Sequence, residues 1–372
     1  MFEQRRHIAT LDGLRGFAAL IVVWLHMTTE AFKVSTPYRG YLAVDFFFIL
    51  SGFVIAGAYE QRLLVGMPFS EFVRIRLIRL YPLIVLAIVC GFSVKLTAFY
   101  LLPHHGYVCD NVSSIIIAGI LGIFLLPSHV AINPDFFPLD SPLWSLMFEL
   151  WANLLYAFIA SLANARQLRA AVWALAICGG IGLIPSVKLF GYLYGGHTIP
   201  EMGVGFARVG WGFFAGVVLH GLLTPARVAR IPRVPFPMLC IVLLLAISPG
   251  PALGPFYDVF AAIVILPIIV ALGSRDALGP RWRGPALFFG AISYPVYVLH
   301  YATFIHFNHF RGHSKPLTYA MFVAAMLLVV GTSYLALRFY DEPIRRWLLR
   351  VTRPVPYAAS RQSAYPKPGV AD

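Results

Sequence analysis

In the stretch LDGLRGFAALIVVWLH, Arg15 and His26 lie eleven positions apart. Eleven residues make about three helical turns plus 20°, so both side chains share one helix face, roughly 16 Å apart along the axis. Histidine there offers a base that titrates near neutrality, and arginine offers a planar cation suited to phosphate. The same pair also fits a snorkelling arginine and a core histidine bonded to a backbone carbonyl. Glu149, in SPLWSLMFELWANLLY, falls roughly 10 Å inward of Pro142 by helical rise, a depth matching His26. A carboxylate beside an imidazole would fix its tautomer and stabilise the imidazolium formed on proton uptake. The plainer alternative is a structural Glu paired with an Arg of the bundle.

Phosphate chemistry is suggested by EFVRIRLIRLYP, where Arg76 and Arg79 stand three apart with Arg74 nearby. Guanidinium forks suit phosphate oxygens, although basic residues beside a span also serve as cytoplasmic anchors. YLAVDFFFILSGFV places Asp45 near the outer end of an apolar run and Ser51 with Gly52 at its middle, where small residues permit close helix approach. In SYPVYVLH, Tyr294, Tyr297 and His300 recur every three residues and lie close to one face. With Asp45 and Ser51 they are the candidate lining of a substrate pocket.

What must position these residues is a membrane bundle. The chain has 372 residues, 59% apolar and 12% charged, with a mean hydropathy of +0.76. That excludes disorder, a disulfide scaffold and a soluble multidomain enzyme. The formal charge of +13 follows from cytoplasmic loops collecting Lys and Arg, so nucleic acid is not an expected partner. Cys90, Cys109, Cys178 and Cys240 show no metal-ligand spacing, and neither a disulfide frame nor a metal is expected. The first apolar run contains Arg15 and His26 and has no small-residue cleavage site, so it reads as a retained span rather than a signal peptide.

Eleven apolar segments fall near 11–29, 41–58, 80–101, 112–127, 142–162, 169–185, 204–222, 236–249, 256–273, 286–304 and 317–339. Basic loops from Arg5 and Arg6 through Arg345 to Arg353 all favour the cytoplasm, which eleven crossings cannot satisfy. The stretch from Pro103 to Ser141 has no Lys or Arg. The short segment 112–127 is therefore expected to dip in from the outer side and return. The expected fold is an all-α transmembrane bundle of about ten spans plus this re-entrant segment, both termini cytoplasmic. Residues 1–350 would form one membrane domain and 351–372 a disordered tail.

Together, LDGLRGFAALIVVWLH, VDFFFILSGFV, RIRLIRLYP, SPLWSLMFEL, ISYPVYVLH and YDEPIRRWL resemble the membrane-bound acyltransferase-3 family of bacterial O-acyltransferases, in order from about residue 7 to 350. The resemblance implies a multi-pass enzyme of the bacterial inner membrane. Such an enzyme moves an acyl group, commonly acetyl, from cytoplasmic acyl-CoA to a hydroxyl of a carbohydrate or other acceptor. The family's Arg-x10-His motif falls on Arg15 and His26, its Arg-x-x-Arg motif on Arg76 and Arg79, and its acidic residue on Glu149. His26 would be the general base, or a transient acyl carrier, with Glu149 orienting it; Arg15, Arg76 and Arg79 would hold the donor. The chain matches the form without an SGNH-type domain. A transporter or flippase for a polar glycan or lipid-linked substrate is the alternative, since intramembrane His, Glu and Asp also build proton relays. His105 to Asp110 spells His-x4-Asp, as in glycerolipid acyltransferases, but on the outer side, away from cytoplasmic donors.

Overall fold

The structure is a computed structural model and describes residues 8–32, 35–101, 111–128, 134–304 and 315–352. Arg5, Arg6, Cys109, the His105–Asp110 spacing and the tail beyond residue 352 lie outside the described residues.

In lipid no water is at hand to pair peptide groups, so an apolar chain satisfies them within helices. In chain order these are α1 (Ala9–Phe32), α2 (Leu42–Leu64), α3 (Phe69–Leu101), α4 (Val112–Ile123), α5 (Leu143–Leu162), α6 (Ala165–Phe190), α7 (Met202–Leu222), α8 (Pro225–Arg230), α9 (Phe236–Ile247), α10 (Phe256–Phe260), α11 (Leu266–Ser274), α12 (Pro280–Phe304), α13 (Lys315–Ala336) and α14 (Glu342–Val351). The π-turns Ala261–Ile265 and Leu337–Asp341 join α10 to α11 and α13 to α14. Among the described residues no strand forms beyond a bridge between Asp135 and Thr198. The all-α polytopic bundle is confirmed: eight helical stretches are long and apolar enough to cross a membrane.

Two apolar helices are short, and they solve the problem differently. α4 has 12 residues, about 18 Å against a hydrocarbon core of about 30 Å. It packs along the later turns of α3, Gly119 facing Phe92 and Gly122 facing Ile88. The chain then doubles back, Ser128 N donating to the Phe136 carbonyl at 2.9 Å and Phe136 N to that of His197 at 2.7 Å. α4 thus runs alongside α3 and covers only part of its length. α9 also has 12 residues, because prolines at 235, 237, 249 and 251 bound it. Yet just before it the Ile231 carbonyl accepts from Arg275, beside the start of α1, and its last carbonyl, Ile247, accepts from Arg39 N beyond the far end of α1. With its flanks, α9 therefore reaches from beside the start of α1 to beyond its far end.

α3 begins at Phe69, well before the expected 80. Nothing after Pro68 breaks the run EFVRIRLIRL, so Arg74, Arg76 and Arg79 ride on the helix itself. Glycine allows α2 and α7 to touch backbone to backbone, since a Cβ at Gly52 would strike the Phe213 carbonyl. Gly52 is a packing residue, as its small-pair context predicts. Beside it, Asp45 and Arg208, each about 1% exposed, form a paired contact of 3.0 and 2.8 Å between the same two helices. Arg208 also donates to the carbonyls of Gly195 at 2.8 Å and Tyr41 at 3.0 Å. A buried ion pair is tolerable only when its remaining donors are satisfied in this way.

Candidate active site

Among the described residues, two cavities in the bundle meet at a wall. The inner one, about 150 Å³, is lined by Arg15 of α1, Ser51 of α2, Arg76 and Arg79 of α3, Ser145 and Glu149 of α5, and Ser293, Tyr294 and Tyr297 of α12. The outer one, about 40 Å³, is lined by His26 of α1, Trp144 of α5, Arg208 of α7 and the loop residues Tyr41, Ser141, Tyr194 and His197. Val44 and Tyr297 line both.

In the inner cavity every arginine is held by a carboxylate. Arg15 meets Asp12 at 2.9 Å and donates to the Ser293 hydroxyl at 2.9 Å and the Gly290 carbonyl at 3.0 Å. Arg76 lies 3.7 Å from Glu149, whose Oε1 accepts from the Ser51 hydroxyl at 2.6 Å. Arg79 lies over the Tyr294 ring at 5.2 Å and 4.0 Å from Asp341, which also pairs with Arg345 at 2.7 Å. Tyr294 is anchored by its hydroxyl to the Leu80 carbonyl at 2.7 Å. Sequence reasoning assigned no role to Ser293 or Asp341, marked Asp12 only as a charge within the first span, and took Arg345 only as a cytoplasmic basic residue. Asp341 and Arg345 sit in YDEPIRRWL, a string whose charges at the end of the final helix were the available signal.

His26 belongs to a different pair. Its Nδ1 lies 2.8 Å from Nε2 of His300, the rings stacking at 5.0 Å between centroids. Nδ1 of His300 lies 2.8 Å from the Tyr297 carbonyl and 3.1 Å from that of Val296. Carbonyls only accept, so His300 carries its proton on Nδ1 and presents a lone pair at Nε2. His26 must therefore donate from Nδ1, which leaves the lone pair of its own Nε2 for chemistry. Among the described residues that Nε2 makes no hydrogen bond.

Three expected placements are corrected here. Glu149 lies in the inner cavity with Arg15, not in the outer one with His26: Arg76 and Ser51 take it, and His300 occupies the orienting place beside His26. A rise counted along α5 from Pro142 fixes neither how that helix is set against α1 nor which neighbour the side chain faces. Asp45 lines neither cavity, because both its oxygens are engaged by Arg208. His300, fully buried, backs the histidine rather than lining the space. Ser51, Tyr294 and Tyr297 do line the inner cavity, as expected of pocket residues.

The rim of the outer cavity was not foreseen. His197 sits 3.4 Å from Glu201 and 3.9 Å from Asp135. Tyr194 packs its ring 5.4 Å from His197 and 5.4 Å from Tyr41. Burial pushes the Asp135 carboxyl above its ordinary range, His197 pulling the other way, and burial likewise raises the Tyr194 phenol. Nearby Asp140 is wholly buried with neither side-chain oxygen hydrogen-bonded, and burial alone lifts its carboxyl well above the usual range.

A family described as an acyltransferase domain matches residues 8–338. The chain belongs to that family. It is a multi-pass membrane acyltransferase, and the transporter reading falls away. Among curated relatives, protein 2 of the picA locus of Rhizobium radiobacter is 38% identical over 167 residues, 42% of this chain and 84% of that protein. The peptidoglycan O-acetyltransferase OatA of Listeria monocytogenes is 27% identical over 197 residues, 49% of this chain and 29% of its own length. A putative O-acetyltransferase of Staphylococcus aureus is 25% identical over 382 aligned positions, 93% of this chain and 58% of its own. The chain thus spans less than two thirds of either named O-acetyltransferase. No solved structure matches it.

Proposed function

We propose that this acyltransferase works in the bacterial inner membrane, moving an acetyl group from acetyl-CoA to a hydroxyl of a carbohydrate acceptor. The inner cavity takes the donor: Arg15, Arg76 and Arg79 meet the CoA phosphates from the cytoplasmic side, and Glu149 serves to hold Arg76 in place. The outer cavity takes the acceptor, with Tyr194, Tyr41 and Trp144 offering ring faces to a sugar and the His197 cluster offering polar partners. At the junction, His26 Nε2 removes the acceptor proton as its oxygen attacks the thioester carbon. The C–S bond then breaks, and the thiolate of CoA leaves with that proton. His300 is a positioning residue that keeps the tautomer and shares the charge of the imidazolium.

The observation that carries this reading is the fixed His26–His300–carbonyl chain beside a cavity adjoining the arginine cluster. Peptidoglycan is the substrate in the printed name of the Listeria relative, and it is the acceptor class to try first. The test supplies radiolabelled acetyl-CoA to membrane vesicles from a peptidoglycan-producing bacterium expressing the protein, and counts base-labile label on glycan. His26→Ala, inserted normally, should leave only background; transfer at the parental rate would overturn the assignment.

A further inference from the structure

Tyr297 and Val44 are the two residues common to the inner and outer cavities. A thioester held from the inner side and a hydroxyl presented at His26 must meet at the wall these two side chains make. Val44 offers only methyl groups there. Tyr297 offers an O–H.

That hydroxyl is both placed and primed. The Tyr297 hydroxyl lies 2.6 Å from Ser145 Oγ, and both hydroxyls reach the Pro142 carbonyl, at 3.4 and 3.2 Å, so the phenol proton is held between Oγ and that carbonyl. The ring is only 6% exposed and is braced edge-on by Phe47 at 5.4 Å between centroids. Its backbone carbonyl is the one that fixes the tautomer of His300, so base and phenol are tied to one turn of α12. In such a dry site, a donor that turns from a neutral oxygen to a developing oxyanion stabilises the transition state more than the ground state.

We propose that Tyr297 is a catalytic residue, its hydroxyl donating a hydrogen bond to the thioester carbonyl oxygen as the tetrahedral intermediate forms. This rests on the acyl-transfer reading above. As the acceptor oxygen bonds to the carbonyl carbon, the π pair moves onto the carbonyl oxygen, where the phenol O–H meets it without giving up its proton. The proton lost by the acceptor sits on His26. When the pair returns, the C–S bond breaks and CoA thiolate takes the proton from His26. Ser145 holds the phenol in the waiting position and is a positioning residue.

The test is the vesicle assay run at several acetyl-CoA concentrations. Tyr297→Phe keeps the ring and its packing, and should lower the maximal rate about 100-fold, as for loss of one oxyanion donor, with the apparent KM for acetyl-CoA within about twofold. Ser145→Ala should lower it about 5-fold, the worth of one ordinary hydrogen bond. A Tyr297→Phe enzyme keeping more than a third of the maximal rate would overturn the proposal, as would a raised KM with an unchanged maximal rate. Should Tyr297→Phe be missing from the membrane, Ser145→Ala decides alone, and an unchanged rate counts against the proposal. Activity of His26→Ala tests the underlying reading separately: if that variant is dead while Tyr297→Phe is active, only this inference fails.

Discussion

Replacing His300 by phenylalanine keeps a ring of similar volume in a fully buried position and deletes the nitrogen that accepts from His26. Two losses follow. The Nδ1–H of His26 is left without its partner, facing the fully buried position 300, which costs about 1–3 kcal/mol for a buried donor. The imidazolium formed during transfer loses a charge-assisted bond worth about 1.5–3 kcal/mol, and only this part is specific to the transition state. A reduction in maximal rate of about 10- to 150-fold is therefore expected. His300→Gln returns an acceptor oxygen to roughly the position of Nε2 and should keep the rate within about fivefold, the worth of one imperfect hydrogen bond. Because the arginines that meet the donor are untouched, the KM for acetyl-CoA should hold for both variants. Vesicle transfer rates at varied donor concentration, with thermal melting of the purified proteins as a control for folding, give the comparison. Full activity in His300→Phe would refute the orienting role. Equal damage in His300→Gln and His300→Phe at equal melting temperature would show that packing, not the acceptor, matters there.

Glu149→Gln should act on the donor side: with Arg76 no longer neutralised, the KM for acetyl-CoA should shift by up to about fivefold, roughly one salt-bridge energy, while a catalytic partner of His26 would instead lower the maximal rate. Asp45→Ala should destabilise the protein by about 3–5 kcal/mol, read as a lowered melting temperature, because Arg208 would stay buried and unpaired. The double change Asp45→Leu with Arg208→Met should recover much of that loss. Asp140→Asn should flatten the pH dependence of stability. A carboxyl whose folded value lies above its ordinary 3.8 binds its proton more tightly when folded, so the parent loses stability as pH rises from about 4. The asparagine variant should gain on the parent above that point in melting scans from pH 4 to 8, and a parallel pair of curves would contradict the neutral carboxyl.

Much of the fold was legible because each apolar run is read against one length, the bilayer. That α4 is too short for a full span was legible from its apolar run, and the stretch 103–141 has no Lys or Arg. What stayed hidden is azimuth. Arg15 and His26 share α1, so their spacing alone placed them on one face at two depths, and the structure duly puts one in each cavity. Glu149 and His26 lie on different helices, and a rise counted along each could not say how the two helices are set against one another; the structure puts them in different cavities. His300 was picked out by its spacing from Tyr297, but as pocket lining, because its partner comes from the first helix. His197, Asp135 and Glu201 gave no periodic signal, since loops bring them together.

The wall between the cavities has an electrostatic consequence. On its inner side, four guanidinium groups face three carboxylates: Arg15 with Asp12, Arg76 with Glu149, and Arg79 and Arg345 with Asp341. The cluster carries one net positive charge, not four. Without those carboxylates, four like charges in a poorly solvated mouth would repel one another, and their field would oppose protonation of His26 beyond the wall. With them, the arginines keep their geometry while the site is empty, and the phosphates of an arriving donor need only displace a partner already in place. A nearly balanced donor site and a neutral histidine pair are thus one arrangement. In the proposed mechanism the base gains a proton only when acceptor and thioester meet at Tyr297, and loses it again as the thiolate departs.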